Sequence, residues 1–141
     1  RYVELARALV ASLRRARRDP ARAALEAGRH WGREAAAATG ERPRSPGEAI
    51  RALVEVLDGL GFAPEPVPGE GSVAVRLHRC PFIEVARTAP EVICPVHLGI
   101  MRGALEVWGS SVRATELRPF VEPDLCVASL SVEVGEVGNG V

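Results

Sequence analysis

Apolar positions recur at helical spacing from the first residues of the chain. Val3, Ala6, Leu9, Val10 and Leu13 fall on a period of 3.6 and predict a helix over residues 1–18, closed by Arg14, Arg15, Arg17 and Arg18. Basic side chains in a last turn suit the negative end of the helix dipole, so a solvated C-terminus accounts for that cluster, with a DNA-backbone contact as the competing reading. Asp19 then Pro20 is an N-cap followed by a first-turn proline, and opens a second helix to about Ala38, rich in alanine and anchored by Trp31. Ser45-Pro46-Gly47-Glu48 has the spacing of a capping box. It starts a third helix, with Ile50, Leu53, Val54, Leu57 and Leu60 as its apolar stripe and Gly59 and Gly61 at its end.

The period then changes from 3.6 to 2. Residues 62–67 are proline-broken and predict an edge strand; Pro68-Gly69-Glu70-Gly71 is a turn, and Val73, Val75 and Leu77 alternate with polar neighbours as a strand. A short helix is expected over residues 82–87, and a longer one from near Pro95 to about Trp108, which sets Cys94 at its N-cap. Gly99 and Gly103, four apart, suit close packing of that helix on a sheet. Residues 112–120 and 125–134 predict a hairpin around Glu122-Pro123-Asp124, and residues 135–141 read as a flexible tail. Helices first, then antiparallel strands with a long helix inserted, predict an α+β fold: N-terminal helices packed on an antiparallel sheet.

Composition narrows the class. The chain has 141 residues, 47% of them apolar, enough for one domain with a core and too many for intrinsic disorder. Its 18 basic residues, all arginine, balance 18 acidic ones, which argues against non-specific nucleic-acid binding. No apolar run is long enough to span a bilayer and no signal peptide opens the chain, so a soluble cytoplasmic protein with reduced thiols, not bound to membranes, is expected. Arg1 begins a helix without a capping signal, from which the sequence is expected to start inside a longer protein.

The candidate chemistry lies in three cysteines, an odd number that makes no disulfide framework. A helix N-cap at Cys94 would lower its thiol pKa, and His97 follows one turn later on the same face. With the hairpin centred near Val121, Glu116 falls opposite Cys126. Cys80, Cys94 and Cys126 with His97 or Glu116 would then make a tetrahedral zinc site or hold an iron–sulfur cluster with one non-cysteine ligand. Against this, free cysteines pack as small hydrophobes, and no CxxC pair is present. No catalytic residue is assigned, and enzyme activity is not expected: Cys94 and His97 lack a third orienting group, and no Ser-His-Asp pattern, P-loop or GxGxxG occurs. His30 and Trp31 could line a ligand pocket with Phe82, although aromatics at such positions are usually core.

The stretch Val75-Arg76-Leu77-His78-Arg79-Cys80-Pro81-Phe82, then Val92-Ile93-Cys94 leading into Gly99 and Gly103, then the hairpin with Glu116 and Cys126, resembles the vinyl-reductase-type ligand-binding domain over most of residues 20–132. That domain is a sensor module of bacterial aromatic-responsive activators and is related to a Golgi-transport scaffold fold. The resemblance implies a structural zinc on Cys94, Glu116 and Cys126, with Pro119 standing where the family has its remaining cysteine. Cys80, Pro81, Phe82, Pro90, Cys94 and Cys126 are also similar to the C-terminal halves of winged-helix repressors that sense iron–sulfur status. Together these likenesses imply metal ligands Cys80, Cys94 and Cys126; His97, one turn after Cys94, is favoured as the fourth ligand over Glu116, which has the family precedent, with zinc or iron–sulfur undecided. A small apolar ligand would sit near His30, Trp31 and Phe82. The expected function is the effector and homodimerisation domain of a bacterial transcription regulator: a linker helix over residues 1–18, a sensor domain over 19–134, and DNA reached only through a preceding winged-helix domain. The alternatives are a stand-alone small-molecule-binding or vinyl-reductase-like domain, and a scaffold domain with buried structural cysteines.

Overall fold

In a computed structural model of the chain, residues 2–16 and 18–132 are described. The elements run α1 (Tyr2–Ala16), α2 (Pro20–Thr39), α3 (Pro46–Gly59), β1 (Pro64–Pro68), β2 (Ser72–Leu77), α4 (Ile83–Thr88), α5 (Pro90–Val107), β3 (Val112–Glu122) and β4 (Leu125–Val132). The strands form one antiparallel sheet in the order β1-β2-β4-β3. This is the expected α+β architecture. Arg17, the end of the last predicted strand and the predicted tail at 135–141 lie outside the described residues.

The helix starts follow from local chemistry. Asp19 accepts a hydrogen bond from the Arg22 amide (3.1 Å) and Ser45 from the Glu48 amide (3.1 Å), each satisfying an N–H that the first helical turn leaves unpaired. The Glu48 carboxylate in turn accepts from the Arg44 amide (2.8 Å), one residue before the cap. The largest fully buried side chains, among them Leu53, Leu57, Phe62, Leu77, Ile100 and Leu130, come from α3, α5, the sheet and the loop before β1, so the main core lies between helices and sheet.

One helix pair is packed far more closely than the rest. A Cβ on Gly28 or Gly32 of α2 would lie 2.2 Å from the Val96 carbonyl oxygen or 2.0 Å from that of Ile100. A Cβ on Gly99 or Gly103 of α5 would lie 2.3 Å from the Leu25 oxygen or 2.1 Å from that of Arg29. The glycines of α5 therefore serve a helix-to-helix crossing, not the helix-to-sheet contact expected from their spacing. The crossing is bridged at its exposed end by Arg29 and Arg33, both donating to the Glu106 carboxylate at 3.0 Å.

The second correction concerns the start of α5. Pro90 takes the first-turn position and the helix runs through Pro95, which removes one hydrogen bond to the carbonyl four residues back. Cys94 is thus the fifth residue of the helix, not its cap. The sequence offers two prolines that suit a first turn, and the spacing does not decide between them.

Helix α1 lies mainly on α4, its half-buried Val3, Ala6, Val10 and Leu13 resting on two satellite apolar clusters, and Arg14 pairs with the Glu91 carboxylate. None of its described side chains is buried, whereas every other helix has at least two buried residues.

The crossing gives a test with two signs. Gly32→Ala forces a methyl into a backbone carbonyl and should lower unfolding stability by about 3 kcal/mol, the upper end for overpacking. Gly59→Ala, where a Cβ meets nothing within 4 Å, should raise it by about 0.5 kcal/mol by restricting the unfolded chain. Urea midpoints of the two variants, measured against wild type, check both signs.

Candidate functional site

β2 and the bend after it bring the cysteines together. Leu77 pairs with Cys126 on β4. The chain then turns, with the Arg79 amide donating to the Phe62 carbonyl (3.1 Å) and the Ile83 amide donating to the Cys80 carbonyl (3.1 Å), so Cys80 sits at the junction of sheet and α4. From the facing helix, α5, come Cys94 and His97. All three cysteines are buried and reduced, and His97 is 1% exposed. The Cys80 Sγ lies 3.5 Å from His97 Nε2, while His97 Nδ1 has no hydrogen-bond partner. Aromatic rings enclose the imidazole: Phe62 at 4.8 Å and Phe82 at 5.6 Å between centroids, with Trp31 beyond Phe82 at 5.8 Å.

Burial sets the charge states. It pushes the Cys94 thiol up to about 12, with Cys126, Cys80 and Glu91 nearby adding to the rise. Cys80 is pushed up to about 11, again mainly by burial, against a lowering backbone hydrogen bond at Phe82. Burial also holds His97 down to about 4. At neutral pH the site therefore holds a neutral thiol beside a neutral imidazole, and no thiolate–imidazolium pair. The activating effect expected of a helix N-terminus on Cys94 is overturned, because loss of water outweighs a dipole whose influence falls off within the first turn.

The expected metal centre is not assembled. Among the described residues no group of three or more His, Cys, Asp or Glu is placed to hold a metal ion. Glu116 pairs in register with Ser129, and its half-exposed carboxylate lies 3.8 Å from Arg118. Irregularities between Ala114 and Glu116 and between Arg118 and Glu122 shift the hairpin, and Cys126 faces β2 instead. His97 is a poor fourth ligand, because a metal-bound imidazole passes its other N–H to an acceptor and Nδ1 has none here. Zinc or an iron–sulfur cluster on Cys80, Cys94, Cys126 and either His97 or Glu116 therefore has no support among the described residues.

The expected ligand pocket fares no better. Trp31 and Phe82 do meet, but the His30 side chain is 76% exposed and lies 3.4 Å from Glu34 on its own helix. An open, mainly apolar groove of about 660 Å³ lies elsewhere, where the starts of α2 and α5 meet β3, lined by Leu25, Pro95, Leu98 and Leu117 with Cys94 at its wall. Sequence reading missed it because it exists only once α2 and α5 cross. The four-residue spacing shared by Gly28/Gly32 and Gly99/Gly103 was the signal that could have shown that crossing.

No protein-family model and no curated protein matches the chain. Among solved structures, it is similar in fold to a trafficking protein particle complex subunit 3 from Naegleria fowleri, solved covalently bound to palmitic acid. The two are 14% identical with a TM-score of 0.66, over 94% of this chain and 93% of that one. At that identity the likeness establishes the fold alone. The expected transcription-regulator effector domain is overturned: a solved structure that shares this fold is a trafficking subunit, and no metal-holding group that would link the chain to regulators is found among the described residues. The stand-alone small-molecule-binding or vinyl-reductase-like alternative gains no support either. No helix among the described residues is long and apolar enough to cross a membrane.

Two measurements probe the buried site. The His97 pKa falls from about 6.5 to about 4 on folding, so its contribution to stability is complete above pH 6.5 and is lost as pH drops towards 4. That loss is on the order of 3 kcal/mol, and it should vanish in His97→Leu when urea midpoints are compared across that range. The three thiols, all covered, should resist a disulfide reagent in the native protein at pH 8 and all react within seconds in guanidinium.

Proposed function

We propose that this chain is a non-catalytic assembly domain that associates with a second copy of itself through the outward face of α1. The carrying observation is that Leu5 and Leu9, one turn apart, are 56% and 61% exposed on a helix that buries none of its described side chains. Ala8 and Ser12 flank them, small enough for close approach. The inner positions Val3, Ala6, Val10 and Leu13 already serve the satellite clusters, so the leucines form a second apolar face that none of the described residues covers. Leu5 and Leu9 are the most exposed of the large apolar side chains among the described residues, and adjacent exposed apolar residues on one helix face suit an interaction site.

Charge favours a second copy as the partner. Residues 1–18 hold six arginines and one acid, whereas residues 19–141 hold twelve arginines and seventeen acids. The arm stands at +5 and the body at −5, so each copy offers the sign the other's arm needs. The neutral sum hides this polarity. The fold likeness to a subunit of a multi-protein complex is in keeping with an assembly role.

Sedimentation equilibrium is the test. The wild-type chain should dimerise with concentration, and Leu5→Ser/Leu9→Ser should be monomeric with an unchanged melting temperature, since neither side chain serves the core. A wild type that stays monomeric at several hundred micromolar, or a variant that dimerises as the wild type does, overturns the reading. Capture of an unrelated acidic protein in preference to self-association would do the same.

A further inference from the structure

We infer that α1 is a releasable cover: it lifts from the body as one unit while α2, α5 and the sheet stay folded, and so uncovers an apolar surface that the closed state hides. This goes beyond the self-association reading and does not rest on it, because it concerns the inner face of α1. That face holds Val3, Ala6, Val10 and Leu13, each of them only half-buried. Beneath it lie Val85, Ala86 and Ile93 in one satellite cluster and Ala24, Ala89 and Val92 in the other, all buried and all apolar. The cover is loosely seated, and its seat is fully dry.

The polar tie of α1 to the body is weak. Arg14 reaches the Glu91 carboxylate and the Thr88 carbonyl (3.5 Å), but the Arg14 and Glu91 side chains are 43% and 54% exposed, where an ion pair adds little. The start of α2 is capped from within. Asp19 accepts from the Arg22 amide through its side chain and from the Ala23 amide (3.2 Å) through its carbonyl, and Pro20 takes the first turn. The chain can therefore part between Ala16 and Asp19 without unravelling α2. Segments with few buried apolar contacts open ahead of the rest of a fold. The α2–α5 pair, held backbone to backbone at its glycines, belongs to the opposite extreme. Once lifted, a helix of 15 residues is marginal in water, so opening also unwinds α1 and frees its amides to exchange.

Native-state hydrogen exchange read by mass spectrometry is the test. It is run on wild-type protein diluted until monomeric and on Leu5→Ser/Leu9→Ser, so that self-association lends α1 no protection. In both, amides of residues 10–13 should exchange about 100-fold faster than those of residues 100–104, once intrinsic rates are divided out. Val10 touches both satellite clusters. Val10→Asp should therefore speed exchange across α1 by about a further tenfold and leave residues 100–104 and the sheet as protected as in wild type. Val10→Ala should act in the same direction and more weakly. Equal protection of α1 and α5 would show a single cooperative unit and overturn the inference. So would Val10 variants that leave α1 exchange untouched, that lower protection of α1, α5 and the sheet in parallel, or that fail to fold. A wild type that stays monomeric at every concentration removes the self-association reading and leaves this one standing.

Discussion

The contact between α2 and α5 is the constraint on which the remainder of this structure depends. Four glycines let the two backbones meet at a separation no side chain would tolerate, with carbonyl oxygens of each helix filling the place of the other's missing methyl groups. Ridge-into-groove packing between ordinary helices holds axes roughly 8–10 Å apart. Here that spacing collapses, and α5 is drawn off the solvent side of the sheet into the middle of the molecule. Its other faces then reach the sheet core through Ile100 and Met101 and the cysteine cluster through Cys94 and His97. The groove at the start of the two helices is the opening left where they diverge towards β3.

The same placement explains why a cluster rich in ligand-type side chains is chemically quiet. Three thiols and an imidazole within one buried region look, as a list of residues, like a metal centre. Set among Phe62, Phe82 and Leu77 and away from water, Cys80, Cys94 and His97 take their neutral forms, and among the described residues no group of three ligand-type side chains is placed to hold a metal. The group is better understood as core: small polarizable sulfurs against aromatic rings, with one imidazole held in its uncharged state. Its cost is a lone unpaired ring nitrogen at His97.

How much of this was legible in the sequence depended on how local the cause was. The caps at Asp19 and Ser45, the strand alternation at Val73, Val75 and Leu77, and the hairpin turn before Leu125 are written in residues close together, and the elements appear where those residues place them. The start of α5 was not, since both Pro90 and Pro95 suit a first turn and only packing chooses. Cys126 was assigned to the wrong neighbour for a similar reason. β4 pairs with β3 on one side and β2 on the other; the β3 register is irregular between Arg118 and Glu122, and Cys126 pairs with Leu77 of β2. The metal reading inherited both errors, one in the cap of Cys94 and one in the register of Glu116. The polarity of charge was open to view in the sequence but vanished in the total.

One further feature bears on how this molecule meets others. β1 lies at a free edge of the sheet, and Pro64, Pro66 and Pro68 occupy alternate positions along it. Alternate residues on an edge strand direct their backbone groups to the same side, and prolines are accommodated in strands where that side faces away from the partner. The outer rim of β1 is therefore a row of acceptors without donors. A strand approaching it would find carbonyls to bond with its amides but nothing to answer its own carbonyls, so the sheet is chemically terminated on that side. Whatever this protein joins, it does not join by lengthening its sheet past β1.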